Sequence, residues 1–319
     1  MRTEEGKAAN ALKSIARDPR IKTYIQQSPD LYPLLYRAAK RFITGETRKD
    51  GISKAKELVS KGYSISLEYI GENTKSVKEC IESKNEFLAL IKEANYSDLT
   101  GVTVSLDLSH IGLTEDPGLA YDHLVELTEE AQSKDFSIMI SMEESEKTDA
   151  ILDIYKRASK RYSNVGITIQ AHLHRSTDDI QELLDYPGKI RIVKGAYQEP
   201  SEKALPRSEA LNKRYMELID RLVKAEHPVS IATHDEAIIQ EARRREILDA
   251  RCVEMEMLYG IRPDRVKGLK DEGVNTKVYL TYGVEWYLYV CHRLAEYPPN
   301  IYTAIADMVE PDGADKSYY

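Results

Sequence analysis

Eight short runs rich in β-branched and apolar residues alternate with longer stretches whose apolar residues fall at helical spacing. The runs cover 63–70, 101–108, 136–142, 165–171, 189–194, 228–232, 250–255 and 274–279. The helical stretches between them cover 74–94, 119–133, 148–161, 178–184, 208–224, 235–245 and 263–271. A strand that is always followed by a helix must pair in parallel, because the helix carries the chain back to the starting edge. Eight such units in about 220 residues fit a closed (β/α)8 barrel of the TIM type better than an open sheet. A doubly wound sheet is the competing arrangement, and it calls for a glycine-rich turn after its first strand. The first run ends instead on Ile70-Gly71-Glu72-Asn73.

Ahead of the runs, 8–15, 31–42 and 52–59 read as helices, with Asp50-Gly51 as punctuation. The expected organisation is an N-terminal helical segment over 1–60, the barrel over 61–310, and a frayed polar tail over 311–319. The net charge of −8 argues against a nucleic-acid partner, which selects for basic patches. No apolar run approaches the roughly 20 residues that span a bilayer. The opening MRTEEGKAANALKSIARDPR has no apolar core of a signal peptide. Cys80, Cys252 and Cys291 are odd in number and scattered, which suits neither a disulfide framework nor a metal site and points to a reducing cytoplasm.

In such barrels the chemistry sits at the C-terminal ends of the strands. Polar groups collect there: Glu68 and Glu72, Asp107, Ser141 and Glu143, Gln170 and His172, Lys194 and Tyr197, Thr233 and His234, Glu254 and Glu256, Tyr279 and Tyr282. Arg191-Ile-Val-Lys194-Gly195-Ala196-Tyr197 closes the fifth run. Its apolar residues are expected to face the barrel, with Arg191 and Lys194 bringing positive charge to one rim. Two cations there suit an anionic cofactor or the charge that develops on a reduced flavin; solvated strand flanks are the plainer alternative. Thr233-His234-Asp235 stands at a helix N-terminus, where it suits a phosphate or ribityl contact, or simply caps the helix. Residues 282–296 read as a final helix on which Tyr289, His292, Arg293 and Glu296 share one face. That face is either solvated, with a surface ion pair to Glu296, or aimed at a pocket.

Taken together and in order, Arg191 to Tyr197, Ala232-Thr-His234, Glu254-Met-Glu-Met-Leu258-Tyr-Gly260, Val278-Tyr279 and Tyr289…His292-Arg293…Glu296 resemble the proline dehydrogenases. The likeness runs from about Leu67-Glu-Tyr-Ile-Gly-Glu72 to Asn300. It implies a distorted (β/α)8 barrel that binds FAD non-covalently at the strand ends, with the final helix closing the substrate site. It implies that Arg191, Lys194, Gly195, Tyr197, Gln170, Thr233 and His234 contact the flavin, Arg191 near its reactive nitrogen. It further implies that Leu258, Tyr279, Tyr289, Arg293 and Glu296 line the substrate pocket, with Arg191, Tyr279 and Arg293 closest to the chemistry, and that a quinone or another acceptor reoxidises the flavin. No metal is implied, and peripheral contact with a membrane surface is compatible with the sequence.

The chain departs from the family at one cluster. The resemblance implies a lysine on the second strand, two adjacent arginines on the final helix and a supporting aspartate on the third strand, which together hold the proline carboxylate. Here those positions are Asp107, His292 with Arg293, and Ser141. His172 replaces a tyrosine, and Glu256 stands where glutamine is frequent. A carboxylate about 4 Å from Asp107 would be repelled by about 4 kcal/mol at an effective dielectric of ~20, about three powers of ten in affinity. The expected reaction is therefore flavin-dependent oxidation of a carbon–nitrogen single bond to an imine, in a proline-like or other amine rather than free L-proline. The alternatives are an ordinary L-proline dehydrogenase giving pyrroline-5-carboxylate, and a flavin-binding protein without turnover.

Overall fold

The computed structural model describes residues 4–16, 18–71, 74–297, 299–310 and 319. Four helices come first: α1 (Glu4–Ala16), α2 (Pro19–Gln27), α3 (Leu31–Ala39) and α4 (Arg48–Ser60). The strands are β1 (Ser64–Tyr69), β2 (Thr103–Leu106), β3 (Ser137–Ile140), β4 (Val165–Gln170), β5 (Ile190–Val193), β6 (Val229–Ala232), β7 (Val253–Leu258) and β8 (Thr276–Tyr282). Between them run α5 (Val77–Tyr96), α6 (Pro117–Gln132), α7 (Thr148–Ser159), α8 (Ser176–Leu183), α9 (Glu209–Lys224), α10 (Glu236–Arg244) and α11 (Pro263–Asp271). After β8 follow α12 (Trp286–Glu296) and α13 (Pro299–Val309). Each strand pairs in parallel with the next, and β1 closes on β8 with Ser64 opposite Lys277 and Tyr69 opposite Tyr282. The chain is a closed eight-stranded parallel barrel.

Side chains alternate across a strand with period two. One set, including Ile65, Leu67, Val104, Leu106, Ile138, Ile140, Ile190 and Ile192, is buried in the main apolar core with the crossover helices. The other set points into the barrel and is rich in polar residues. Arg191 of β5 donates through Nη2 to Ser105 of β2 at 2.9 Å and to Ser66 of β1 at 3.3 Å. A layer below, Lys277 donates to Thr103 at 2.9 Å and to Glu254 at 2.8 Å, and Lys189 pairs with Glu254 at 2.8 Å. This corrects the expectation for the fifth strand. Ile190 and Ile192 face the helices, which need an apolar sheet surface to pack on, and Arg191 faces inward.

A second apolar core ties the two ends of the chain together. Phe42 and Ile43, just past α3, are buried with Trp286, Tyr287, Val290 and Cys291 of α12 and Ala304 of α13. Trp286 lies 5.4 Å from the Tyr32 ring and 5.7 Å from that of Tyr36. Helix α4 starts on a capping box between Thr47 and Asp50 and packs on β1 and β8. The last stretch differs from expectation in two ways. Residues up to Tyr282 belong to β8, and Gly283, at φ +140°, turns the chain so that α12 starts at Trp286. A Cβ at Gly283 would stand 2.8 Å from the Ile70 carbonyl oxygen. And α12 is not final, because α13 follows it. Helix α2 was not expected either; Asp18 caps it and Pro19 starts it. Of the tail, 311–318 lie outside the described residues, as does Glu72. Tyr319 is not frayed: its ring stacks on Tyr259 at 5.5 Å, and its hydroxyl accepts from the Gly260 N–H at 2.7 Å.

Candidate active site

Because Arg191, Glu256, Ser66, Ser105 and Ser230 all occupy inward positions, the strands bring them to one point although they are far apart in the chain. Arg191 forms a two-pronged ion pair with Glu256, Nε to Oε2 at 2.8 Å and Nη2 to Oε1 at 2.7 Å. The Ser230 hydroxyl donates to Oε2 at 2.6 Å. The side chains of Arg191 and Glu256 are only 4% and 2% exposed, so the plainer reading of a solvated flank does not hold. Among the described residues Nη1 of Arg191 has no hydrogen-bond partner. The guanidinium carbon stands 5.0 Å from the centre of the Tyr279 ring.

Tyr279 joins this network to the mouth of the barrel. Its side chain is hydrogen-bonded to Glu68, whose carboxyl is pushed up to about 7. Loss of hydration is the main cause; the Tyr279 bond and the charges of Arg191 and Arg293 act the other way. Asp107, at the end of β2, has its carboxyl raised well above the usual range by the same desolvation and by the neighbouring Glu143 and Glu68. Ser141 hydrogen-bonds it. Glu143 is held by the Ser109 N–H at 2.9 Å, by the Ser109 hydroxyl and by Lys147 at 2.7 Å. Tyr197 is near enough to Asp107, Glu143 and Glu68 for their charges to raise its phenol, alongside desolvation as the main cause.

Helix α12 supplies another wall. Arg293 lies 5.0 Å over the Tyr289 ring and pairs with Glu296 at 2.8 Å, and its charge is felt by Glu68 and by His234. The ion pair expected as a surface feature thus exists, yet the Arg293 side chain is 14% exposed and belongs to the mouth. His292 is half-buried on the same helix.

The remaining sites divide. His234, after β6, accepts from the Leu258 N–H through Nε2 at 3.2 Å. Burial, helped by Arg293 and Arg262, pulls its imidazole down to about 3, so it is neutral and its proton sits on Nδ1. Nδ1 is buried without a partner among the described residues, as is Nε2 of His172. Gln170 spends its amide on the Glu143 carbonyl at 2.9 Å. Lys194 does not share a rim with Arg191. It pairs with Asp235, the cap of α10, and donates to Asn212 of α9 at 2.6 Å. The Thr233 hydroxyl accepts from the Asp235 N–H at 3.1 Å, a local turn at the helix start. Gly195, at φ +104°, leaves room for the His172 ring, 2.4 Å from where a Cβ would stand. Its carbonyl accepts from Arg207 at 2.6 Å.

Glu68, Glu143 and the three serines are the residues that strand-end reasoning left without a role. Their signal was present: Ser64-Ile-Ser66-Leu-Glu68 and Thr103-Val-Ser105-Leu-Asp107 alternate polar and apolar residues all the way through a strand. Among the described residues no helix is long and apolar enough to cross a membrane, and no group of three or more His, Cys, Asp or Glu side chains is placed to hold a metal ion.

A family model described as proline dehydrogenase matches residues 51–296. Proline dehydrogenase 1 of Bacillus subtilis strain 168 is 32% identical over 265 residues, 82% of this chain and 87% of that one. The proline dehydrogenase of Deinococcus radiodurans is 30% identical over 308 residues, 94% of this chain and 97% of that one. Among solved structures, proline utilization A from Bdellovibrio bacteriovorus, inactivated by N-propargylglycine, aligns with a TM-score of 0.75 at 19% identity. That alignment covers 89% of this chain and 38% of the larger one, and it bears on the fold alone.

Proposed function

Because this chain belongs to the proline dehydrogenase family of flavin-dependent oxidoreductases acting on CH–NH bonds, we propose that it binds FAD at the mouth of the barrel and oxidises an amine other than free L-proline to an imine. The fit to a polar cofactor is supported by His234. A neutral imidazole with a buried, unpartnered Nδ1–H needs an acceptor, and leaving such a donor unmet costs about 1–3 kcal/mol. A ribityl hydroxyl or a phosphate oxygen would meet it. In the same reading Arg191, through Nη1, with Gln170, Lys194, Gly195, Tyr197 and Thr233, holds the other parts of the cofactor. When bound, the flavin would supply the hydride acceptor, with a quinone or similar carrier as the final electron acceptor.

The protein's own task is to orient the amine and to take its proton, since only the neutral amine gives up hydride. Glu68 is suited to the second part: a carboxyl poised near pH 7 can accept a proton at neutral pH. Tyr279, Tyr289 and Leu258 form the walls against which the carbon skeleton packs. Arg293, steadied by Glu296, is the remaining cation for an anionic group. Asp107, Ser141 and the half-buried His292 stand where the resemblance gives a lysine, an aspartate and an arginine, and the nearby Lys147 is taken up by Glu143. The single observation that carries the choice of substrate is that Asp107 is set in a poorly hydrated mouth beside Glu143 and Glu68, with Lys147 offsetting them only in part, a setting that a bound cation would relieve.

A second reading, ordinary oxidation of L-proline, draws on the same carboxyls. A protonated Asp107 repels no carboxylate, so the penalty expected from sequence is smaller than 4 kcal/mol at pH values where the proton stays on. Anaerobic bleaching of the purified yellow protein decides between them. Bleaching by L-proline at ordinary rates supports the second reading. Bleaching only by amines without a free carboxylate supports the first, and no bleaching by either leaves a flavin-binding protein without turnover.

A further inference from the structure

Arg191 is buried inside the barrel against the Tyr279 ring, and its charge is not left bare. Glu256 covers its Nε–Nη2 edge with two short bonds, and Ser66 and Ser105 share Nη2. Ser230 fixes the carboxylate from the far side. Such a geometry leaves neither partner free to turn away, and water is excluded from both. An isolated guanidinium beside a flavin would favour the reduced, more negative form and so raise the reduction potential. A carboxylate locked to that guanidinium cancels most of its field, because in a poorly hydrated interior the two charges are seen together at any distance larger than their separation.

We propose that Glu256 is a positioning residue that sets the potential of the bound flavin, acting through Arg191 and holding the potential lower than Arg191 alone would. It rests on the flavin reading above. The consequence for the reaction is a trade. A lower potential makes the amine a harder electron donor to exploit and makes onward transfer to the acceptor more downhill. Glutamine at this position would keep one oxygen for Arg191 Nε and for Ser230 while removing the countercharge; its amide nitrogen would replace the oxygen that now accepts from Nη2, which keeps Ser66 and Ser105, and Ser230→Ala controls for such a lost hydrogen bond.

The test is spectroelectrochemical titration of the flavin-loaded full chain with Glu256→Gln and Ser230→Ala, together with the dissociation constant of sulfite, a nucleophile that adds to oxidised flavin more tightly as the potential rises. Glu256→Gln is expected to shift the two-electron equilibrium toward the reduced form by about tenfold or more, about 30 mV, and to tighten sulfite in parallel. Ser230→Ala disturbs the same network without changing charge and is expected to stay within a few-fold of wild type. Ser105→Asp, which sets a second carboxylate on Nη2, is expected to move both readouts the other way and serves if Glu256→Gln does not fold. The proposal is overturned by a Glu256→Gln equilibrium within about twofold of wild type, or by Ser230→Ala moving as far as Glu256→Gln. A Ser105→Asp protein that fails to shift downward overturns it as well. A colourless wild type overturns the flavin reading and this inference together; a yellow protein with unmoved potential overturns this inference alone.

Discussion

Asp107 at the end of β2 is hydrogen-bonded by Ser141 from the end of β3, and its carboxyl is raised by desolvation and by Glu143 and Glu68 around it. Two strand ends that the family resemblance gives to a lysine and an aspartate therefore hold a hydrogen-bonded carboxyl and a hydroxyl. L-Proline is expected to be a poor substrate, and Asp107→Lys with Ser141→Asp and His292→Arg is expected to restore it in part. Each single change should recover less, because neighbouring charges do not act additively. Steady-state kinetics on wild type, singles and triple check this. A wild-type kcat/KM for L-proline on the order of 10⁴ M⁻¹s⁻¹ or higher would refute it.

The purified protein is expected to be yellow and to release FAD rather than FMN on denaturation. The expectation rests on the unpartnered Nδ1 of His234 and on Arg191, whose hydrogen bonds among the described residues run through Nε and Nη2. Chromatography of the released cofactor reads the outcome. His234→Ala should lower flavin occupancy while the apoprotein keeps its far-ultraviolet circular dichroism.

Arg191→Ala is expected to damage folding as well as turnover. Removing the guanidinium leaves Glu256 buried and uncompensated, which costs about 3–5 kcal/mol of stability. Arg191→Met with Glu256→Leu removes both charges and should regain much of that loss. Urea unfolding of the two proteins measures the difference; equal midpoints would show that the pair is not the buried unit described.

Glu68 carries a pH signature. Its carboxyl lies near 7 in the fold against about 4.5 when unfolded. Between those values the folded chain holds the extra proton, so this group's contribution is full below about pH 4.5, falls as pH rises to about 7 and is flat above. While it falls, the slope is at most about 1.4 kcal/mol per pH unit. Relative to wild type, Glu68→Gln should therefore gain thermal stability between pH 5 and pH 8. A difference in Tm that does not change with pH would show that Glu68 titrates at its ordinary value.

Much of the fold was legible because it depends on local patterns. The eight runs, their helices and the parallel pairing follow from periodicity, and Asp235 caps α10 at the helix start where the sequence offers a cap. The strand alternation says that the two faces of each strand differ. It does not say which face is inside, because in a barrel both faces are covered, one by helices and one by the opposite strands. That is why Ile190 and Ile192 were expected inward and found outward. Sequence also brought Arg191, Tyr279 and Arg293 to the same end of the barrel. Only the tertiary structure decided that Arg191 is locked to Glu256, 65 residues away, that Lys194 leans to Asp235 and Asn212, and that desolvation raises the carboxyls of Glu68 and Asp107. The charge of a side chain is a property of its sequence, whereas its partners and its loss of water come from closing the barrel, which brings Ser66, Ser105, Arg191, Ser230 and Glu256 into one hydrogen-bonded cluster.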